Sequence, residues 1–184
     1  MKFTETNLEG AYLIELEEFK DERGTFARQF CKKKLKEHGI DFDICQCNIS
    51  KNFKKNTLRG MHYQKAPFLE PKLVSCTSGA FYDVIVDLRK ESSTYLKWEG
   101  FELTESNNQI LYIPPMFAHG FQTLVDNTTV YYQLGEFFNP EYYDGIRYND
   151  PEISIEWKDL GEPIMNERDK SYRSLEVWKF SILK

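Results

Sequence analysis

His62, Lys72, His119, Tyr132 and Asp169 are the residues of this chain whose types, taken together, suit the movement of protons beside a carbonyl. An imidazole takes a proton near neutral pH, an ammonium group holds the negative charge that develops on oxygen, and a phenol returns a proton. The series opens with Arg59-Gly60-Met61-His62-Tyr63-Gln64, and the other four follow on segments able to converge on one pocket. Each residue alone has a plainer reading. His62 fits a satisfied core histidine, Lys72 a side chain that snorkels to a rim, and Tyr132 a buried phenol bonded to a carbonyl. His38 reads as a surface residue, Lys32-Lys33-Lys34 as a solvated helix face, and Tyr142-Tyr143 as surface packing outside the chemistry.

The elements that must position these residues read as short strands. Leu73 to Thr77 and Ala80 to Leu88 flank Ser78-Gly79, a pair that favours a hairpin. Ile110 to Ile113 is stopped by Pro114-Pro115, and Gly120 to Val125 and Thr128 to Leu134 flank Asp126-Asn127, which predicts a second hairpin. Gln29 to His38, ahead of Gly39, is the one clear helix. Many short strands separated by turns predict an all-β sandwich, jelly roll or barrel. Strand parity puts Lys72 on the face of Val74 and Cys76, Tyr132 on that of Val130 and Leu134 and, if the strand after Pro115 begins ahead of Gly120, His119 on that of Phe121 and Thr123. Three polar groups are thereby aimed into an apolar interior, the usual makeup of a small-molecule site.

Composition excludes several classes of function. The 184 residues, 41% hydrophobic and 15% aromatic, suit one domain over 1–184, with no repeat or linker to mark a boundary. A net charge of −5 without a basic stripe argues against nucleic acid as a partner. Cys31, Cys45, Cys47 and Cys76 lack zinc-knuckle spacing, and Lys2 and Glu5 stand where a leader would be apolar, which predicts a reduced, cytoplasmic protein. No apolar run is long enough to cross a bilayer. A metal-binding cupin offers a His-x-His pair followed by Glu, whereas Gly60-Met61-His62-Tyr63-Gln64 holds one histidine, so no metal site is expected. Phosphate-binding glycine loops are missing too, leaving side chains to hold any nucleotide.

From Asp21-Glu22-Arg23-Gly24-Thr25-Phe26 to Met165-Asn166-Glu167-Arg168-Asp169 the chain resembles the dTDP-4-dehydrorhamnose 3,5-epimerase family. The resemblance is carried by Leu58–Gln64, Lys72-Leu73-Val74, Phe81–Arg89, Ile113–Phe121 and Gly145–Pro151, in that order. It implies an all-β, cupin-type jelly roll with a few short helices, a strand-exchanging homodimer, neither metal nor cofactor, and a nucleotide-diphosphate 4-keto-6-deoxy sugar as substrate. A ketone at C4 makes the hydrogens on C3 and C5 removable, because the carbanion delocalises into an enolate. By resemblance His62 is the base, Asp169 its orienting partner, Lys72 the enolate stabiliser and Tyr132 the acid on the opposite face. Arg59 and His119 then position sugar and diphosphate, with Asp83 behind His119. Gln46, Asn48 and Phe138, with Arg23 and Phe26 from a partner subunit, hold the nucleotide. The chain departs from the family pattern at Arg28 and Tyr143, where Glu is usual, and at Phe138, where Tyr is usual. A sibling acting at C3 or C5 alone, or on a CDP- or GDP-linked sugar, and a non-catalytic sugar-nucleotide-binding jelly roll are the alternatives. Val177, Trp178, Phe180 and Ile182 give the segment Ser174 to Lys184 an apolar set suited to capping the domain or lining a dimer contact.

Overall fold

Two antiparallel sheets face one another in a jelly roll. The computed structural model describes residues 1–175, so the apolar set from Val177 onward lies outside the described residues. In spatial order the first sheet carries β1 (Lys2–Glu5), β2 (Tyr12–Glu15), β10 (Gln109–Ile113), β7 (Lys72–Ser78), β12 (Thr128–Leu134) and β5 (Gln46–Asn52). The second carries β13 (Tyr143–Gly145), β6 (Leu58–Gln64), β11 (Phe117–Thr123), β8 (Ala80–Asp87) and β9 (Trp98–Thr104). A separate hairpin, β3 (Glu18–Asp21) with β4 (Gly24–Ala27), projects an exposed Phe19–Phe26 cross-strand pair. Two short helices, α1 (Lys32–Glu37) and α2 (Glu167–Lys170), complete the described elements. The helix predicted over Gln29 to His38 is shorter than expected, and its lysines point to solvent while Leu35 is fully buried.

Both predicted hairpins are corrected. The strands on either side of Ser78-Gly79 form, but β7 pairs with β10 and β12 while β8 pairs with β11 and β9, in the other sheet. The same holds across Asp126-Asn127, where β11 and β12 belong to different sheets. Each turn is an arch that carries the chain from one sheet to the other. The physical reason is burial on both faces of β8, which turn chemistry cannot report. Phe81 and Ile85 enter the core between the sheets with Val74, Leu111, Phe121 and Val130. Tyr82, Val84 and Val86 pack outward under Ile146, Ile153 and Leu175. A strand that fills two apolar layers gains more from a central position than from pairing with its predecessor, since each fully buried aliphatic or aromatic side chain contributes about 1.5–3 kcal/mol.

One irregularity shapes the cavity side of the second sheet. His119 lies opposite His62, but Phe121 lies opposite Arg59, so β6 carries one residue more than β11 over this stretch. Such a bulge puts Arg59 and His62 on a common face although they are three positions apart, which strict alternation forbids. Glycine makes it possible. Gly60 has φ +123°, and a Cβ there would lie 2.6 Å from the Gly120 Cα; one on Gly120 would lie 2.9 Å from the Arg59 carbonyl oxygen. The strands approach at this point because neither carries a side chain.

Candidate active site

A cavity of about 300 Å³ opens between the sheets, and both walls contribute polar groups. From the first sheet come Gln46 and Asn48 on β5, Lys72 on β7 and Tyr132 on β12; from the second come Arg59 and His62 on β6, His119 on β11 and Tyr143 on β13. Phe121 and Leu134 supply apolar lining. The alternation read for Lys72, His119 and Tyr132 holds, since Val74, Val130 and Phe121 on the same faces all enter the inner core.

His62 is held by a residue 107 positions away. Asn166 caps α2, its side-chain oxygen accepting the Asp169 N–H at 2.7 Å, and this first turn presents the Asp169 carboxylate to β6. Asp169 Oδ1 lies 2.9 Å from His62 Nε2, and Oδ2 accepts the Gly60 N–H at 3.0 Å. Burial acts to raise the Asp169 carboxyl, but the bond and charge of His62, the Gly60 amide and Arg168 hold it below the ordinary carboxylate range. The group is therefore ionised and can only accept, so Nε2 carries the hydrogen and Nδ1 keeps its lone pair. For His62 itself burial is the largest influence and pushes the imidazole below its ordinary value, while Asp169 acts in the opposite sense. The result is an imidazole that is neutral at pH 7 and has its tautomer set from behind.

His119 is seated in the same manner, its Nε2 2.5 Å from Asp83 Oδ1 on the adjacent strand. Asp83 is fully buried and its carboxyl is raised, by burial first, with His119 and Lys72 acting the other way. The Tyr132 ring packs edge-on to His119, with centroids 6.2 Å apart. Burial, reinforced by the Asp83 charge, pushes the Tyr132 phenol well above its ordinary value, so it is protonated over the physiological range. Arg59 lines the cavity and is oriented by Asn52, whose Oδ1 accepts from Nε at 2.8 Å. Lys72, almost fully buried, pairs with Glu70 at 3.1 Å.

The outer shell is mixed. Gln46, Asn48 and Phe138 line the cavity, and Gln46 Oε1 accepts the Phe138 N–H at 3.1 Å. Arg23 and Phe26 do not reach it; both sit on the exposed β3–β4 hairpin, where Arg23 pairs with Asp21. Arg28 likewise stays outside, its charge acting on Cys31. Tyr143 corrects the reading of Tyr142-Tyr143 as surface packing. It lines the cavity with its ring centroid 5.3 Å from that of His62, and contacts Phe138 and Arg168 on its other sides. Glu70 was not foreseen either, although its place two residues before an inward lysine is the signal that would have found it. Among the described residues no group of three or more His, Cys, Asp or Glu side chains is placed to hold a metal ion, and no helix is long and apolar enough to cross a membrane.

Fold and cavity together place the chain among sugar epimerases built on a cupin-like jelly roll. The profile of the dTDP-4-dehydrorhamnose 3,5-epimerase family matches residues 5–176, and the chain belongs to that family. It is 39% identical to the dTDP-4-dehydrorhamnose 3,5-epimerase of Methanothermobacter thermautotrophicus over 95% of this chain and 94% of that one. The crystal structure of the Bacillus anthracis dTDP-4-dehydrorhamnose 3,5-epimerase with TDP and pyrophosphate bound superimposes with a TM-score of 0.91 at 40% identity, covering 95% of this chain and 99% of that one. The Legionella pneumophila dTDP-6-deoxy-D-glucose-3,5-epimerase, in complex with dTDP-4-keto-L-rhamnose, gives 0.89 at 34% identity over 96% and 93%.

Proposed function

We propose that this protein inverts C3 and C5 of a dTDP-linked 4-keto-6-deoxyhexose, taking dTDP-4-dehydro-6-deoxyglucose to dTDP-4-dehydrorhamnose. The observation that carries the reading is that His62 and Tyr132 stand on different sheets and line the same cavity. A sugar ring lying between the sheets meets a neutral base on one side and a protonated phenol on the other. His62 Nδ1 removes the proton beside the ketone, the negative charge moves to O4, and Lys72 with His119 stabilises the enolate. Tyr132 then protonates the carbon from the opposite face, which inverts the centre. Arg59, with its planar donor fork, suits the diphosphate. Gln46, Asn48 and Phe138 form the side of the cavity available to the base. The exposed Arg23 and Phe26 suit donation to the cavity of a second copy, which makes the working unit a homodimer. The four free cysteines suit a reduced, cytoplasmic setting.

The test is deuterium incorporation by mass spectrometry in D₂O, with dTDP-, CDP- and GDP-linked 4-keto-6-deoxy sugars and a His62→Ala control. Two deuterons per dTDP-sugar, lost in the control, are expected. One deuteron would mark a single-centre enzyme, uptake with CDP or GDP alone would reassign the nucleotide, and none with any of the three would leave a binding protein.

A further inference from the structure

Glu70 is a buried carboxylate in the wall of the cavity to which the chemistry above gives no part. It stands on the connection between β6 and β7, two residues before Lys72, and its Oε1 lies 3.1 Å from Lys72 Nζ, with the two side chains 4% and 8% exposed. A surface pair of this kind would carry little meaning. Taking two charges out of water is costly, however, and removing one partner strands the other. The connection is anchored as well: Gln64 Nε2 donates to the Phe68 carbonyl at 2.7 Å, and the Gly135 N–H donates to the Pro71 carbonyl at 2.9 Å. Glu70 is thus delivered by a fixed backbone on both sides.

The other buried carboxylates of the site are already committed, Asp169 to His62 and Asp83 to His119. Glu70 completes the series with Lys72, so that Lys72, His62 and His119 each have a carboxylate of their own. The charged and titratable groups that line the cavity with Lys72 and Glu70 are Arg59 and His62 on β6, His119 on β11, Tyr132 on β12 and Tyr143 on β13, with Asp83 on β8 behind His119. Of these only Asp83 is acidic enough to serve as a counter-ion, and its near oxygen is held by His119.

Building on the epimerase reading, we propose that Glu70 is a positioning residue for Lys72, fixing its ammonium where the enolate oxygen forms. One donor of the ammonium is directed to Glu70 and two remain for substrate. Glu70→Ala should lower kcat by about 10²-fold, the usual scale for a misplaced catalytic group, while KM changes by less than about threefold. Glu70→Gln, whose amide oxygen still accepts from the ammonium, should recover most of the rate at pH 7. Glu70→Met, which keeps the bulk but accepts no hydrogen bond, should stay about 10²-fold slow with KM unchanged. A purely space-filling role would give Glu70→Met and Glu70→Gln the same rate. Rates are read as deuterium uptake from D₂O, with circular dichroism confirming the fold of each variant. Wild-type kcat in Glu70→Ala, or Glu70→Met as fast as Glu70→Gln, overturns the proposal; if Glu70→Ala does not fold, the Gln and Met pair decides alone. A wild type that exchanges no hydrogen removes the epimerase reading and this inference with it, a result distinct from an active enzyme indifferent to Glu70.

Discussion

Replacing Asp169 by Asn keeps the shape of the His62 support and removes its charge. In the native site burial lowers the basicity of His62, and so do the Lys72 and His119 charges, while the Asp169 bond and charge oppose them. With the carboxylate gone every remaining influence acts in one direction, so the imidazole becomes a weaker base. A second loss concerns the tautomer. An ionised carboxylate at 2.9 Å only accepts, whereas an amide can turn its NH₂ toward Nε2 and drive the ring hydrogen to Nδ1, the nitrogen that has to take the proton. General-base catalysis contributes about 10²–10⁴-fold, so Asp169→Asn should lower deuterium exchange by about that factor at pH 7. The pH profile separates this from damage to the fold. The base works only when neutral, so the acid limb of kcat/KM reports His62, and weakening the base moves that limb to lower pH even as the plateau falls. Exchange measured by mass spectrometry from about pH 4.5 to 8.5, two units either side of the ordinary imidazole value, covers the window. An exchange rate within about tenfold of wild type, below the range for a lost general base, would refute the reasoning. So would an acid limb that moves upward.

Other perturbations probe the remaining parts. Lys72→Met should lower kcat by about 10²–10³-fold, the range for losing one preorganised group at a developing oxyanion, with folding checked by thermal melting. Tyr132→Phe should separate the two half-reactions: exchange with solvent at retained configuration persists while net inversion, followed by NMR of the product, falls by about 10²–10⁴-fold. Gly60→Ala should cost about 1–3 kcal/mol in urea unfolding, because its Cβ would meet the Gly120 backbone at 2.6 Å. A neutral result there would show that the bulge relaxes freely.

How much of this was legible in the sequence differs between residues. Lys72, His119 and Tyr132 were readable because each shares a face with apolar neighbours, and alternation survives any choice of partner strand. Strand pairing was not readable at Ser78-Gly79 or Asp126-Asn127, since a short turn serves an arch between sheets as well as a hairpin within one. The common face of Arg59 and His62 depends on a bulge that parity would deny, although Gly60 marks the spot. Asp169 stood out by type, but its pairing with His62 came only through resemblance, because nothing local to α2 says which strand it will meet. Tyr143 was misplaced because Tyr142 and Tyr143 read alike in sequence, and only the pairing of β13 with β6 turns the second ring toward His62.

The pairing of His62 with Asp169 also bears on how activity appears during folding. Contacts between residues 107 positions apart form late, since their loop closure must be met before they contribute, and two arches have already had to place β7, β8, β11 and β12 in their sheets. β-Sheet signal and a closed core can therefore develop while the base still lacks its partner. In a refolding experiment catalytic exchange should recover after far-ultraviolet ellipticity, which makes turnover a reporter of the final docking step rather than of collapse.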